Sequence, residues 1–270
     1  MLECLVDGEI TTFVAASNRG LNYADGLFET LAVHNGLPHR WQAHMDRLGA
    51  GCERLGIAMP PQAILLREVK TVCAGTADAV VKIVLSRGGH ARGYRPSQDA
   101  GCVRIVSAHE FPRDVDENAS QGVKARICDL RLALQPALGG IKHLNRLEQV
   151  LASSESFPDG VSEGILLDRE DHVISAIAAN IFMVMDDRLL TPRLDRCGVR
   201  GIIRGQLLAA FSTRCEQRRI HLDLLQEADE VFICNSVRGI VPVTGIDNHD
   251  YAIGPLTREL QNWLHNGVGA

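Results

Sequence analysis

Lysine is scarce in this sequence. The 270 residues include only Lys70, Lys82, Lys124 and Lys142, so arginine supplies nearly all of the positive charge. Acidic residues outnumber lysine and arginine, 33 against 28, and the formal net charge is −5. This balance excludes the strong basic field that nucleic-acid binding requires. We therefore expect no nucleic-acid partner, and each lysine can be weighed individually.

Long apolar runs and an export signal are also lacking. No uninterrupted apolar segment approaches the about 20 residues that a membrane-spanning helix needs. The opening residues MLECLVDGEI carry Glu3 and Asp7, and they lack the basic start and long apolar core of a signal peptide. We therefore expect a cytoplasmic protein without a membrane partner that acts on small molecules.

The cysteines show no pattern that would bind a metal. All eight are scattered, without a C-x-x-C pair and without histidines at zinc-ligand spacing. We therefore expect no metal site and interpret the cysteines as small buried side chains in a reducing compartment. Cys234 is a candidate nucleophile, although nothing beside it in FICNS resembles a base.

The hydrophobic pattern of the first part of the chain predicts a sheet with helices, an α+β arrangement. Alternation in GLFETLAV followed by Asn35-Gly36 predicts a hairpin, because this dipeptide accepts the positive φ angles of a tight turn. Apolar residues three or four apart from Trp41 predict a helix ending near Gly56. A second helix is predicted after Pro61, and strands are predicted over 79–88 and 102–110.

A polar segment, FPRDVDENASQG, separates this part from the rest of the chain. It contains proline and glycine and has no sustained apolar period, so we predict a linker over 112–122 between a small domain, 1–111, and a larger domain, 123–270. In the larger domain VKARICDLRL predicts a strand, and GILLD, HVISA, NIFMVM and LLT predict short strands. KHLNRLEQVLASS, GIIRGQLLAAF and GPLTRELQNWL predict helices.

Lys142 differs from the other three lysines. Those three lie on a helix surface or alternate with apolar neighbours, which is typical of solvated side chains. Lys142 follows two glycines and opens the polar segment KHLNRLEQ. Composition alone leaves a salt-bridge role and a chemical role open. A lysine that loses its proton can form an imine with an aldehyde cofactor, and pyridoxal phosphate is the natural candidate.

Such a cofactor needs a site for its phosphate group. Phosphate sites combine backbone amides at a helix N-terminus with an arginine or short polar side chains. The candidates here are the amides of Ile202 and Ile203 after Gly198 and Gly201, the guanidinium of Arg47, and the strand-end pair Asn235 and Ser236. Each of these features alone is also compatible with an ordinary turn or surface.

The ordered motifs HMDRL, SRGGHARGY, GGIKHLNRLEQVL, AANIF, TPRLDRCGVRGIIR and ADEVFICNSVRGIVPV resemble the branched-chain and D-amino-acid aminotransferase class, the fold type IV pyridoxal phosphate enzymes. Within this class, IKHLNRLEQVL and RGY are similar to the lyases that convert 4-amino-4-deoxychorismate to 4-aminobenzoate and pyruvate in folate synthesis. The resemblance runs from about Asp7 to Val243. It implies a D-amino-acid aminotransferase-like fold, with a small α/β sandwich and a larger β-pseudobarrel domain with helices. It also implies pyridoxal 5'-phosphate as cofactor and a homodimer with the active site near its interface.

The resemblance also implies roles for individual residues. Lys142 corresponds to the Schiff-base lysine, which also moves the proton. The implied cofactor contacts are Arg47, Lys142, Ser175, Asn180, Ile202, Ile203, Asn235 and Ser236. Arg92 and Tyr94 fall in the loop expected to face substrate carboxylates. Phe28 stands where transaminases of this class usually have a tyrosine, which favours the lyase.

Ser175 departs from the family pattern. A glutamate is expected five residues before Asn180, where it would face the pyridine nitrogen. A carboxylate keeps that nitrogen protonated, whereas a hydroxyl only forms a hydrogen bond to it, so the ring becomes a weaker electron sink. This loss harms transamination most. A D-amino-acid or branched-chain aminotransferase, and a cofactor-binding homologue without catalysis, remain the alternatives.

Overall fold

The chain divides into two compact units. The computed structural model describes residues 1–89, 93–97 and 100–267. The first unit joins Met1–Pro112 to Ile141–Asn145, and the second holds Arg113–Gly140 and the described chain from Arg146 onward. Helices and sheets occur in both units, as the α+β class predicts. None of the helices within these described ranges is long and apolar enough to cross a membrane.

In its described residues the first unit contains an antiparallel six-stranded sheet with the order β2-β1-β6-β5-β3-β4. Its elements are β1 (Glu3–Val6), β2 (Glu9–Ile10), α1 (Arg19–Tyr23), β3 (Gly26–His34), β4 (Leu37–Pro38), α2 (Trp41–Leu55), α3 (Gln62–Val72), β5 (Asp78–Arg87) and β6 (Cys102–Glu110). Helix α2 packs on β3, and α3 packs on β1 and β6. The core of the unit therefore lies between these helices and the sheet.

Local sequence signals explain this unit well. Asn35 and Gly36 have φ angles of 51° and 74°, which close the tight turn between β3 and β4. Met45 and Leu48 lie on the buried side of α2, at helical spacing. Gly56 ends α2 in the left-handed region, with φ of 63°. These features confirm the predicted hairpin and first helix.

The second unit contains a mixed sheet of ten strands among the residues that the structure describes. The strand order is β12-β11-β10-β14-β15-β7-β8-β9-β13, with β16 beside β15. The elements are α4 (Val115–Gln121), β7 (Val123–Leu132), α5 (Leu147–Ser153), β8 (Val161–Asp168), β9 (His172–Ala176), β10 (Asn180–Met185), β11 (Arg188–Pro192), α6 (Ile202–Ala210), β12 (Cys215–Arg218), β13 (Ile220–His221), α7 (Leu222–Gln226), β14 (Glu230–Asn235), β15 (Gly239–Ile246), β16 (His249–Asp250) and α8 (Pro255–Gly267).

This sheet curls so that strands distant in its order approach each other. Strand β9 packs against β10 and β11, although the ladder places them far apart. Ile165, Val173, Ile181 and Val231 are all buried in one shared apolar cluster. The unit therefore encloses its core, as the predicted pseudobarrel requires.

The predicted linker differs from the structure. Val115–Gln121 forms α4 and belongs to the second unit. Asp116 and Glu117 in its first turn complement the helix dipole. At the other end, Arg258 donates to the carbonyl of Ala119 at 2.9 Å. This long-range hydrogen bond is invisible in the local pattern, which lacks the apolar period of a helix.

Candidate functional site

Lys142 lies in an extended segment of the first unit. Its carbonyl accepts the N–H of Phe28 at 3.0 Å, and the N–H of Leu144 donates to the carbonyl of Gly26 at 2.9 Å. The helix predicted from KHLNRLEQVLASS begins only at Leu147, so that prediction was wrong for the first residues. Because these backbone groups bond to β3, they do not enter a helical turn.

The side chain of Lys142 contacts an aromatic ring. Its Nζ lies 4.1 Å from the centroid of Phe28, and the side chain is half-buried. The exposed Lys82 approaches the same ring, with its Nζ at 5.3 Å. Sequence reasoning missed this second lysine because β3 and β5 bring it to Phe28 only in the folded sheet. The ring offers both ammonium groups a cation–π contact and no hydroxyl.

Beneath this segment, Glu29 binds two basic side chains. Glu29 and His44 are fully buried, and His44 Nδ1 lies 2.6 Å from Glu29 Oε2. Arg47 binds the same carboxylate with two donors, Nε at 2.8 Å and Nη2 at 2.5 Å. Burial raises the pKa of Glu29, but the hydrogen bonds from Arg47 and His44 outweigh it and hold the pKa below its usual range. Glu29 is therefore ionised near neutral pH.

His44 has an unused nitrogen. Among the described residues, no hydrogen-bond partner reaches its buried Nε2. Burial lowers the pKa of His44, the contact with Glu29 opposes this, and the charges of Arg47 and Lys142 act with burial. A neutral ring that donates from Nδ1 to Glu29 carries a lone pair on Nε2. The first unit therefore holds a buried acceptor whose pKa responds to the charge of Lys142.

The guanidinium of Arg47 binds the Glu29 carboxylate through two of its N–H donors. The bidentate contact shows that Arg47 has a structural role in the first unit. Its role toward a phosphate stays a prediction.

In the second unit, Asn180 fixes the loop before α6. Its Nδ2 donates to the carbonyl of Val199 at 2.8 Å, and its Oδ1 accepts the N–H of Gly201 at 2.9 Å. A Cβ at Gly201 would lie 2.0 Å from that Oδ1, so only glycine fits. Gly201, the residue before α6, has no side chain that could cap the first amides of the helix, those of Ile202 and Ile203. Uncapped amides at a helix N-terminus bind anions.

The turn after β14 lies close to this loop. Strand β14 pairs with β10 so that Asn235 follows the residue opposite Asn180. The Oδ1 of Asn235 accepts the N–H groups of Val237 and Arg238 at 3.0 and 2.8 Å, which shapes the turn that contains Ser236. The structure thus brings Asn180 and the Asn235-Ser236 turn together.

Sequence reasoning missed one carboxyl group, that of Glu163 in β8. It lines a pocket of the second unit together with Asn235 and Arg238. Its Oε1 accepts the N–H of Ile177 at 3.3 Å. Burial raises the pKa of Glu163, while two backbone donors and the charge of Arg238 act against it. Ser175 is 9% exposed in the adjacent strand β9. A charged residue inside the apolar strand VSEGILLD was the sequence signal that could have identified Glu163.

The two residues expected to face the substrate differ in what the structure shows. Arg92 lies outside the described residues. Tyr94 is described, and its side chain is 89% exposed. Their role toward a substrate stays a prediction.

Cys234 is unsuited to act as a nucleophile. Its side chain is only 2% exposed, and burial raises its pKa to about 12. A thiol with so high a pKa carries almost no reactive thiolate at neutral pH.

One cluster has the donors of a metal site. Ligand atoms of Asp168, Glu170 and His172 all lie within 4.8 Å of one another. Arg196 and Arg219 approach the Glu170 carboxylate at 3.5 and 3.6 Å. These cations already balance the carboxylate, so we interpret the cluster as an ion-pair network.

Comparison with known proteins identifies the family. The profile of the amino-transferase class IV family matches residues 26–246. An aminodeoxychorismate lyase of Vibrio harveyi is 36% identical over 96% of this chain and 98% of its own. The crystal structure of a 4-amino-4-deoxychorismate lyase from Pseudomonas aeruginosa is 41% identical, with a TM-score of 0.92 over 98% of this chain and 99% of its own.

A branched-chain aminotransferase of Escherichia coli shares the fold. It has a TM-score of 0.86 over 98% of this chain and 94% of its own, at 22% identity. These likenesses confirm the predicted fold. The chain belongs to the class IV aminotransferase family.

Proposed function

We propose that this protein is a pyridoxal phosphate-dependent lyase that converts 4-amino-4-deoxychorismate to 4-aminobenzoate and pyruvate. The observation that carries the proposal is the likeness to two lyases of this name over nearly the whole of each chain. Phe28 supports it, because its ring leaves no hydroxyl beside Lys142, where a transaminase would place a tyrosine.

The residues present fit pyridoxal phosphate. Lys142 offers a half-buried amine. Gly201 packs tightly against Asn180, and directly after it come the first amides of α6, which no N-cap side chain binds. Lys142 would attach the cofactor, and the amides of Ile202 and Ile203 would hold its phosphate. Arg47 and the pair Asn235 and Ser236 complete the phosphate contacts in this proposal. Ser175 would face the ring nitrogen.

In this proposal Lys142 transfers the proton of the substrate. When bound, the cofactor supplies an electron-withdrawing ring. The amine of Lys142 takes the proton from C4 of the substrate ring, and the neighbouring carbon expels enolpyruvate, which gains a proton to become pyruvate. Aromatisation of the product drives the reaction. The Phe28 ring, 4.1 Å from Nζ, helps to hold the Lys142 amine in place.

We also propose a cytoplasmic homodimer. Leu147, Val150 and Leu151 of α5 are 63%, 56% and 54% exposed and share one helix face. An exposed apolar patch is typical of an interface between subunits. The free cysteines support a reducing compartment. Sedimentation of wild type and Leu151→Glu tests the dimer: the variant should sediment as a monomer, and a monomeric wild type would contradict the proposal.

Two alternatives keep some support. The first is a D-amino-acid or branched-chain aminotransferase, and a branched-chain aminotransferase shares the fold. Phe28 and Ser175 both disfavour this alternative. A cofactor-binding protein without catalysis is compatible with Ser175 in place of a carboxylate.

A product assay separates the three. The reconstituted protein is given 4-amino-4-deoxychorismate, and 4-aminobenzoate and pyruvate are measured; equal amounts are expected. In parallel, D-alanine or leucine with 2-oxoglutarate reports transamination. Faster transamination than lyase activity would favour the aminotransferase, and bound cofactor without either product would favour the inactive homologue.

A further inference from the structure

Arg19 of α1 is a buried arginine that bonds a distant loop. It is 3% exposed, and its Nε donates to Asp25 Oδ2 at 2.8 Å. Its two terminal nitrogens donate to the carbonyls of Gly93 and Tyr94 at 2.9 and 3.1 Å. Gly93 and Tyr94 lie between β5 and β6, more than 70 residues away in sequence. One guanidinium therefore joins α1, the residue directly before β3, and the pair Gly93 and Tyr94.

The inner end of this connection is fixed. Arg87 also binds Asp25, with Nε at 2.9 Å from Oδ2 and Nη2 at 3.2 Å from Oδ1. Arg87 in turn donates to the carbonyls of Gly56 and Leu55 at the end of α2. Burial raises the pKa of Asp25, but the hydrogen bonds from Arg87 and Arg19 hold it below its usual range. The ionised Asp25 therefore orients Arg19.

Tyr23 adds a third bond to the loop. Its hydroxyl accepts the N–H of Gly93 at 3.1 Å, and its ring lies 5.6 Å from the ring of Tyr94. The guanidinium of Arg19 lies 4.8 Å from the centroid of Tyr23. The side chain of Tyr94 nevertheless stays 89% exposed. Hydrogen bonds thus fix the backbone of Gly93 and Tyr94, while the side chain of Tyr94 faces solvent. This arrangement is suited to hold that side chain in one position.

We propose that Arg19 is a positioning residue that holds Gly93 and Tyr94 and thereby sets where Tyr94 meets the substrate. What Tyr94 meets rests on the proposed function; the anchoring itself does not. Lysine cannot replace Arg19, because a single ammonium cannot span Asp25 and two carbonyls as the planar fork does.

Chymotrypsin tests the anchoring without substrate. It cleaves after tyrosine, and cleavage of a folded protein follows the population of the opened segment. In the holoprotein, Arg19→Lys should raise the rate of cleavage between Tyr94 and Arg95 by about tenfold. Arg67→Lys, a change at an exposed arginine of α3, is the matched control and should leave the rate unchanged.

Tyr23→Phe gives an independent readout, because it removes one acceptor and keeps the ring. It should raise cleavage after Tyr94 by about threefold. Wild-type cleavage rates in folded Arg19→Lys and Tyr23→Phe would overturn the proposal. If Arg19→Lys does not fold, Tyr23→Phe alone decides, and an unchanged rate overturns it.

Kinetics then distinguish positioning from general damage. Arg19→Lys should raise KM for 4-amino-4-deoxychorismate about tenfold and leave kcat within about twofold. Cofactor affinity should not change. A loss of kcat and cofactor affinity with KM unaltered would show a merely structural role and overturn the proposal. If wild type releases no 4-aminobenzoate, the proposed function fails, whereas the cleavage results still decide whether Arg19 anchors the loop.

Discussion

Lys142 is held to Phe28 twice. Its carbonyl accepts the Phe28 N–H at 3.0 Å, and its Nζ lies 4.1 Å from the centre of the Phe28 ring. The backbone and the side chain of Lys142 therefore both contact the same residue of β3. The sheet, and not a mobile loop, fixes the position of the amine.

The first prediction concerns covalent attachment. We expect borohydride reduction of the reconstituted protein to fix the cofactor on Lys142, because an attached lysine becomes a stable secondary amine. Lys142→Ala should fold and lose this label. Peptide mapping by mass spectrometry reports the labelled residue.

Lys82 provides a strict control for this labelling. It approaches the same ring, with its Nζ at 5.3 Å, but is exposed. Lys82→Ala should keep the full label on Lys142. A label on Lys82 would mean that proximity to Phe28 does not select the catalytic lysine, and the proposed role of Lys142 would be wrong.

The second prediction concerns the loop before α6. Gly201→Ala should break the bond between the Gly201 N–H and Asn180, since the new Cβ would stand 2.0 Å from Asn180 Oδ1. We expect at least about a tenfold loss of cofactor affinity, as one or two amide contacts to the phosphate are misplaced. Cofactor titration by fluorescence measures it.

Gly205→Ala is the matched control in the same helix. A Cβ there would meet no atom within 4 Å. It should raise the free energy of unfolding by about 0.5–1 kcal/mol, because alanine is the better helix former, and leave cofactor affinity unchanged. Equal affinities of the two variants would contradict an anion site at this helix terminus.

Local signals were sufficient where a single turn or helix decides the structure. Asn35-Gly36, the apolar period from Trp41 and Gly56 each act within a few residues.

Long-range bonds decided what the sequence did not show. Arg19 reaches Tyr94 across 75 residues, and Arg258 reaches Ala119 across 139. Such pairings add hydrogen bonds that no local period encodes. The segment of Lys142 shows this most clearly. Its local pattern predicts a helix, but its hydrogen bonds to β3 make it extended.

The third prediction separates two roles of Arg47. Arg47→Ala alone should lower the free energy of unfolding by about 3–5 kcal/mol, because it removes the cation from the buried Glu29 carboxylate and leaves only the hydrogen bond from His44. Glu29→Gln removes that charge first. Comparing Glu29→Gln with Glu29→Gln/Arg47→Ala then isolates any contact of Arg47 with the cofactor.

In that pair, affinity for pyridoxal phosphate should fall by about 1.5–3 kcal/mol and affinity for pyridoxal should not change, since only the phosphate engages the arginine. Equal losses for both ligands would make Arg47 structural only. Equilibrium dialysis with each ligand provides the measurement.

The fourth prediction concerns pH. The folded-state pKa of His44 is lowered, mainly by burial, so the unfolded chain binds a proton more readily. The contribution of His44 to the free energy of unfolding is therefore complete above the unfolded pKa of about 6.5. As pH falls from there towards the folded pKa, this free energy decreases by at most about 1.4 kcal/mol per pH unit.

Melting temperatures between pH 8 and pH 5 test this dependence. His44→Asn keeps a donor for Glu29 and removes the titrating ring, so its curve should be flatter below pH 6.5. His249→Asn, at an exposed position, should follow wild type. Parallel curves for wild type and His44→Asn would show that His44 does not titrate differently on folding.

The last prediction concerns Ser175. Ser175→Glu places a carboxylate where the family pattern expects one, and a carboxylate facing the pyridine nitrogen would keep it protonated. Transamination with D-alanine should gain more than lyase activity, because aromatisation already drives the lyase. The position is 9% exposed, and its neighbour Ile174 is 5% exposed, so a longer charged side chain has little room.

Ser175→Gln decides between electronics and packing. Glutamine has the shape of glutamate without its charge, so both variants should lower the free energy of unfolding by about 1–3 kcal/mol through overpacking, while only glutamate should speed transamination. An equal gain in both variants would attribute the effect to shape. A folded Ser175→Glu that binds the cofactor and gains in neither reaction would refute the electron-sink argument, because the carboxylate would then be present without any effect on the ring.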